Sequence, residues 1–269
     1  MYIKVNSKKI DTQERSLYAL RDALYHTSDN IVTILEGYQT DEDIPLKEGN
    51  EVVFITKGEL PNQADFEAML SARHTPGVYQ KVKTARVAIA GIGGLGSHIA
   101  ISLARTGVGH LHLIDFDRVE PSNLNRQCYR IGHLGMPKTV ALQHEIKEIN
   151  PFITVTAEKI KVTAKNAVAL FKDDTIVCEA FDQPEVKAML VNTLLEHCPE
   201  KVIVAASGMA GYGSSNTIST RRITKHFYLC GDGESAAEIG QGLMAPRVSI
   251  CAGHQANAVL RIILGETEI

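Results

Sequence analysis

Residues Ala85 to Gln127 read A-R-V-A-I-A-G-I-G-G-L-G-S-H-I-A-I-S-L-A-R-T-G-V-G-H-L-H-L-I-D-F-D-R-V-E-P-S-N-L-N-R-Q, and this stretch decides the fold. Val87 to Ala90 is the short apolar run of a buried parallel strand, and Gly91, Gly93 and Gly96 follow it in the spacing G-x-G-x-x-G. Ile99, Ile101, Leu103 and Ala104 suit a short packed helix, and Leu111 to Ile114 form a second strand that ends at Asp115.

Glycines let a backbone turn sharply and approach a phosphate closely, while the helix starting near Gly96 points unpaired N–H groups and its positive dipole end at an anion. A nucleotide is therefore expected, seated by Gly91, Gly93, Gly94 and Gly96, with the Asp115 carboxylate placed to accept a hydrogen bond from a ribose hydroxyl. By itself the pattern fits a dinucleotide dehydrogenase equally well, and such turns also occur purely for close packing.

Residues downstream separate these readings. Asp117, Ser122, Asn123, Arg126 and Gln127 follow Asp115, and then Gly135-Met136-Pro137-Lys138. A dehydrogenase has little use for a second carboxylate, an Arg and a Lys just after its ribose acid. Activating a carboxylate with ATP uses them all: cations hold a triphosphate and stabilise charge at the α-phosphorus, and a carboxylate holds magnesium. The combination G-I-G-G-L-G-S, D-F-D, S-N-L-N-R-Q and G-M-P-K resembles the adenylating domain shared by ubiquitin-activating enzymes and the bacterial ThiF and MoeB proteins. The later G-L-M-A-P before a C-terminal helix is also similar to that family, and the resemblance runs from Ala72 to Gly265.

The resemblance implies an ATP-dependent adenylyltransferase that activates the C-terminal glycine carboxylate of a small sulfur-carrier protein like ThiS, in thiamine thiazole synthesis. Arg126, Lys138 and Arg73 would bind phosphates, Asn123 would orient them, and Asp182, aided by Asp117, would hold Mg2+. The family also implies a homodimer, in which an Arg from the segment A-R-H-T-P-G-V-Y-Q, here Arg73, reaches the partner's nucleotide. The alternative for Arg73 is a helix-end charge facing solvent. Rival functions are the same chemistry on another carboxylate, such as a modified tRNA base, and a carrier-binding protein that only senses nucleotide.

Composition allows one α/β core plus a small accessory module: 269 residues, 44% hydrophobic and 22% charged. No apolar run approaches the roughly 18 residues of a membrane span, and Met1 opens a strand-like segment, so a cytoplasmic protein is expected. A formal charge of −3 argues against a general nucleic-acid binder. No two of the five cysteines, Cys128, Cys178, Cys198, Cys230 and Cys251, stand in a C-x-x-C spacing. Many ThiF-like and MoeB-like proteins carry two such pairs; here no structural zinc is expected.

Three segments are expected: residues 1–60 as a β-grasp domain, 61–84 as a helical linker, and 85–269 as the adenylating domain. In the first, Tyr2 to Ile10 reads as a hairpin, Leu17, Leu20 and Leu24 share a helical face, and Ile31 to Leu35 and Val52 to Ile55 are strands. The segment also resembles ThiS itself, most clearly in I-L-E-G-Y-Q-T-D-E-D-I-P-L-K-E-G-N-E-V-V-F-I. Such carriers end in a free Gly-Gly, whereas here Phe54-Ile55-Thr56-Lys57-Gly58-Glu59-Leu60-Pro61 runs on, so the module is no working carrier. It carries 7 Lys plus Arg against 11 Asp plus Glu. In the linker, Ala64 to Arg73 is expected as a helix with Phe66, Met69 and Leu70 on one side, ended by His74-Thr75-Pro76-Gly77.

Beyond Lys138 the pattern alternates helix and strand: helices over 138–150, 164–171 and 184–197, strands over 154–160, 175–181 and 202–206. That is a doubly wound, mostly parallel sheet, whose ligands lie at the carboxyl ends of its strands, where Asp182 sits. Thr217 to Ile223 suits an antiparallel strand, and residues 226–239 are expected to be a loop crossing over the carrier's tail. Family members that form a thioester place a Cys about four residues before the Gly of G-x-M-A-P; that position is Glu238, which cannot serve as a thiolate. Cys230 could act only from such a loop, the alternative being a buried, idle thiol, and Cys128 is expected to pack.

Overall fold

The structure is a computed structural model that describes residues 1–25, 30–74 and 77–268. It contains two compact units, Met1–Lys81 and Val82–Ile269. No described helix is long and apolar enough to cross a membrane.

The first unit comprises β1 (Tyr2–Val5), β2 (Lys8–Asp11), α1 (Leu17–Leu24), β3 (Ile31–Leu35), β4 (Tyr38–Gln39), β5 (Glu51–Thr56) and α2 (Gln63–His74). Its sheet runs β2-β1-β5-β3-β4, with β1 and β5 parallel at the centre and hairpins outside them. This is a β-grasp, one two-residue strand longer than expected. The β1–β2 turn places Asn6 and Ser7 at φ 46 and 67, the left-handed conformation that suits the twist of a two-residue hairpin. Asn6 is then drawn onto β5: its side chain accepts from Phe54 N and donates to Phe54 O, both at 2.9 Å.

Alternation along the strands divides apolar side chains between two faces. On one, Leu17 and Leu20 of α1 meet Ile3, Val5, Val52 and Phe54; the helix begins where the Ser16 hydroxyl caps Ala19 N. On the other, Ala68, Met69 and Ala72 of α2 pack on Ile34, Val53 and Ile55. The expected linker helix thus folds with the N-terminal unit, and its packed side is Ala68, Met69 and Ala72 rather than Phe66, Met69 and Leu70. Small alanines let the helix approach the sheet, and apolarity alone overlooked them. The breaker pair Thr75-Pro76 lies outside the described residues.

Helix α3 (Val78–Thr84) spans the junction. The second unit then runs β6 (Arg86–Ala90), α4 (Gly94–Thr106), β7 (His110–Ile114), α5 (Lys138–Ile149), β8 (Thr154–Glu158), α6 (Ala164–Leu170), β9 (Ile176–Glu179), α7 (Pro184–His197), β10 (Val202–Ala206), β11 (Ser219–Thr224), β12 (Phe227–Gly231) and α8 (Ala245–Leu264). The sheet order is β11-β12-β10-β9-β6-β7-β8, parallel throughout except for β11. Such sheets bury both faces, which is why β6, β9 and β10 read as near-continuous apolar runs.

Residues 226–239 are not one loop. Phe227–Gly231 forms β12, hydrogen-bonded to β10 on one side and β11 on the other. The run is short and ends in Gly-Asp-Gly, so its local signal is that of a turn. Pairing with strands from elsewhere in the chain makes it a strand.

Candidate active site

The carboxyl ends of β6, β7, β9 and β10 open on a cavity of about 530 Å3. Its floor is the glycine turn. Gly91 takes φ +84, and a side chain there would meet Phe181 and the Ala180 carbonyl within 3.0 Å, so the turn can touch the β9–α7 loop only as glycine. Gly93 and Gly94 line the cavity at the start of α4, whose first N–H groups have no partner within the helix. Gly96 has a different role from the one expected. It is buried, does not line the cavity, and a Cβ there would fall 1.9 Å from the Gly91 carbonyl, so it lets helix and strand pack.

Asp115 ends β7 buried, with Oδ2 accepting Ile92 N at 2.9 Å and Oδ1 accepting Asp117 N at 2.8 Å. It holds the glycine turn as well as facing the cavity. Lys138 opens α5, is 5% exposed, lines the cavity, and pairs with Asp117 at 2.9 Å. Asp117, expected at a metal, is therefore engaged by Lys138. Arg126 also lines the cavity, its guanidinium donating to Ser122 O at 3.2 Å and Asn125 Oδ1 at 2.8 Å.

Asn123 is buried and does not line the cavity. Its Oδ1 accepts Glu120 N at 3.0 Å, and its carbonyl accepts Arg126 N and Gln127 N at 3.2 and 3.0 Å. It shapes the turn that presents Arg126. Asp182 lies exposed on the cavity rim. Arg73 is exposed in the last turn of α2, in the N-terminal unit.

Several residues at the cavity were given no role from the sequence. Gln127 is buried on its wall, with Oε1 lacking a described partner. Lys187 of α7 lines it and donates to Glu179 Oε1 at 3.0 Å and Phe181 O at 2.9 Å. Burial pushes the Glu179 carboxyl up, Lys187 pulls it back, and its Oε2 has no described partner. A lysine five positions beyond Asp182 was the one available signal, and it reads equally as a solvated helix charge.

The far wall is the loop after β12, where Gly233, Glu234, Ser235, Ala236 and Ala237 line the cavity. Its base is pinned by Arg247, buried in the first turn of α8, which binds Gly213 O at 2.8 Å, Thr217 Oγ1 at 3.1 Å and the Asp232 carboxylate. Burial acts to raise the Asp232 carboxyl, but hydrogen bonds from Ser235, Glu234 and Arg247 outweigh it and hold the group below the usual carboxylate range. Asn125 ties the loop's other end, donating to Leu243 O at 3.1 Å.

Among the described residues no cysteine lines the cavity. Cys230 is in β12, fully buried, its thiol pushed up to about 11 by burial despite a contact with Thr220; Cys251 goes to about 12 for the same leading reason. Cys128 packs against His98 Nδ1 at 3.2 Å with its thiol raised by burial. Thiolates are the nucleophilic form, and these settings oppose it. No group of three or more described His, Cys, Asp or Glu residues could hold a metal ion. One rim carboxylate and one lysine-paired carboxylate suit only an ion held chiefly by phosphate oxygens and water.

Comparison with known proteins bears on both units. The ThiF family matches residues 66–269, and the ThiS-like ubiquitin family matches residues 1–58. The molybdopterin-synthase adenylyltransferase of Salmonella typhimurium is 30% identical over 190 residues, covering 68% of this chain and 75% of that protein. The adenylyltransferase and sulfurtransferase UBA4 of Yarrowia lipolytica is 28% identical over 197 residues, 68% of this chain and 47% of that protein. The chain thus spans less than half the length of that relative. Among solved structures, the tRNA N6-threonylcarbamoyladenosine dehydratase TcdA of E. coli, in complex with ATP, superposes with a TM-score of 0.69 at 22% identity, covering 77% of this chain and 98% of that one; this likeness concerns the fold.

Proposed function

The chain belongs to the ThiF family and carries a ThiS-like ubiquitin domain at its N-terminus, and on that premise we propose that it is an ATP-dependent adenylyltransferase that activates the C-terminal glycine carboxylate of a separate ThiS-like sulfur carrier in thiamine thiazole synthesis. One observation carries the reading: a glycine turn at a helix start, two cations, Arg126 and Lys138, and the Asp182 carboxylate all meet in a single cavity. The helix start and its N–H groups suit phosphate oxygens. Asp115 faces the ribose, and Arg126 and Lys138 take the phosphates, Lys138 turning from Asp117 to do so. Gln127 Oε1, buried without a described partner, is an acceptor waiting for a donor.

In the reaction the carrier's carboxylate oxygen bonds to the α-phosphorus as the bond to the β-phosphate oxygen breaks, and pyrophosphate leaves with the electron pair. The chain's residues bind, orient and neutralise charge, and none need form a covalent bond. Bound Mg2+, held by Asp182 with Asp117, would neutralise triphosphate charge. The family resemblance adds a homodimer in which Arg73 reaches the partner's nucleotide. The test is ATP–pyrophosphate exchange with and without a carrier ending in Gly-Gly. Carrier-dependent exchange supports the proposal; ATP binding without exchange defeats it.

A second reading has one observation behind it. Arg221, Arg222 and Lys225 lie exposed on the two faces of the edge strand β11 and on its turn, a basic sheet edge suited to a polynucleotide. Activation of a modified tRNA base would then appear as RNA-dependent ATP consumption that a Gly-Gly carrier does not stimulate.

A further inference from the structure

At two residues beside the cavity, side chains hold both the backbone N–H and the backbone carbonyl, and so the two successive peptide groups that flank the α-carbon. At Ile92, inside the glycine turn, the N–H donates to Asp115 Oδ2 at 2.9 Å and the carbonyl accepts the Tyr129 hydroxyl at 2.7 Å. At Phe181, beside Asp182, the N–H donates to Glu179 Oε1 at 2.7 Å and the carbonyl accepts Lys187 Nζ at 2.9 Å. Each grip pairs a buried carboxylate with a donor from another part of the chain, and Lys187 also links to its own carboxylate at 3.0 Å. The two gripped loops touch where Gly91 meets Ala180 and Phe181.

Neither peptide group flanking such a residue can rotate without breaking a side-chain hydrogen bond in a region of low dielectric. Rotation of the Ile92–Gly93 peptide, whose carbonyl Tyr129 holds, would redirect the Gly93 N–H at the start of α4. Rotation at Phe181 would carry the Asp182 carboxylate off the rim. The two loops supply opposite signs to one ligand, so their separation sets how well a phosphate chain and its charges are met.

We infer that Tyr129 and Lys187 are positioning residues: they lock the glycine turn and the Asp182 loop in the geometry that receives the nucleotide phosphates. This rests on the nucleotide reading of the cavity. Tyr129 acts through the backbone and stays buried at 7% exposure. Lys187 is a cation at the cavity whose charge is used on Glu179, so it differs in kind from Arg126 and Lys138.

The experiment compares Tyr129→Phe, Lys187→Met and Lys187→Arg in the full chain by equilibrium ATP affinity, by separate KM values for ATP and a Gly-Gly carrier, and by amide hydrogen exchange without ligand. Tyr129→Phe should weaken ATP about five- to tenfold, the worth of one buried hydrogen bond, leave the carrier KM unchanged, and speed exchange at Ile92 to Leu95. Lys187→Met should weaken ATP similarly and speed exchange at Phe181 and Asp182, and Lys187→Arg should recover most of both. Folded variants with wild-type ATP affinity and unchanged exchange would overturn the inference. If the unaltered chain binds no ATP, the nucleotide reading falls, and the exchange rates still decide whether the side chains brace the loops.

Discussion

The two sheets of this chain treat their polar groups differently. In the N-terminal unit both faces are closed by the chain's own helices, and the buried carboxylate, Asp65, is satisfied by Asn6 and Asn62 at 2.9 and 2.7 Å. In the larger unit the faces are closed as well, but the carboxyl strand ends stay open. Around them gather buried polar atoms without a described partner: Gln127 Oε1, Glu179 Oε2, Gln255 Oε1 and Arg247 Nε. A buried polar group costs free energy unless it is paired, so such groups persist where a ligand, water or proton completes them. The N-terminal unit has one such atom among the described residues, His74 Nδ1 at the end of α2, whereas the larger unit has four, with that of Gln127 on the cavity wall where a ligand can reach it.

That contrast predicts unequal responses to substitution. The largest is Gly96→Ala. A Cβ lying 1.9 Å from the Gly91 carbonyl forces α4 off β6, and we expect loss of ATP binding and of the larger unit's thermal transition, by about 3 kcal/mol or more; a variant that melts and binds ATP like wild type would remove the packing role. Next come Arg126→Ala and Lys138→Ala, which should lower pyrophosphate exchange by about 10²- to 10³-fold while circular dichroism and thermal midpoint stay near wild type. Near-normal exchange in both would erase the distinction between cavity-facing and structural charge.

The matching change in the small sheet is Met69→Ala. It should destabilise the N-terminal unit by about 2 kcal/mol, read by denaturant unfolding, and leave the ATP affinity unaltered. The smallest effect concerns pH. Asp232 is held below its ordinary value of 3.8, so the folded chain releases this proton more readily than the unfolded one. Its contribution to stability is complete above 3.8 and is lost as pH falls below that value. Hydrogen exchange at Gly233 to Ser235 should quicken in that acid range, and Asp232→Asn should abolish the acid dependence.

Much of the cavity lining was legible because the elements that build a glycine turn are local in sequence. A glycine turn, the helix it starts and the acid after the next strand occupy about 25 consecutive residues; in this chain they run from Gly91 to Asp115. Arg126 and Lys138 were readable for the same reason, each within a short motif. The order of helices and strands was readable because burial on both faces of a parallel sheet leaves continuous apolar runs. The β-grasp hairpin announced itself through alternation and an Asn-Ser turn.

Other assignments needed the fold. Asn123 offers the same amide whether it meets a phosphate or a backbone N–H, and only the turn around it shows that it bonds Glu120. Cys230 fell in an expected loop with a buried, idle thiol as the alternative, and the pairing of β12 with β10 and β11 decides for burial. The packed side of α2 depended on which sheet face it met, and Lys187 and Tyr129 gained meaning from carbonyls 6 and 37 residues away.

The sequence by itself therefore determined the class of fold, the place of the glycine turn and the charges beside it, since these follow from periodicity and short-range backbone geometry. Only the tertiary structure decided which glycine packs and which faces the cavity, which carboxylate is free and which is paired, and which buried side chains brace the loops. Those outcomes depend on distances between residues far apart in the chain, and a local pattern carries no measure of such distances.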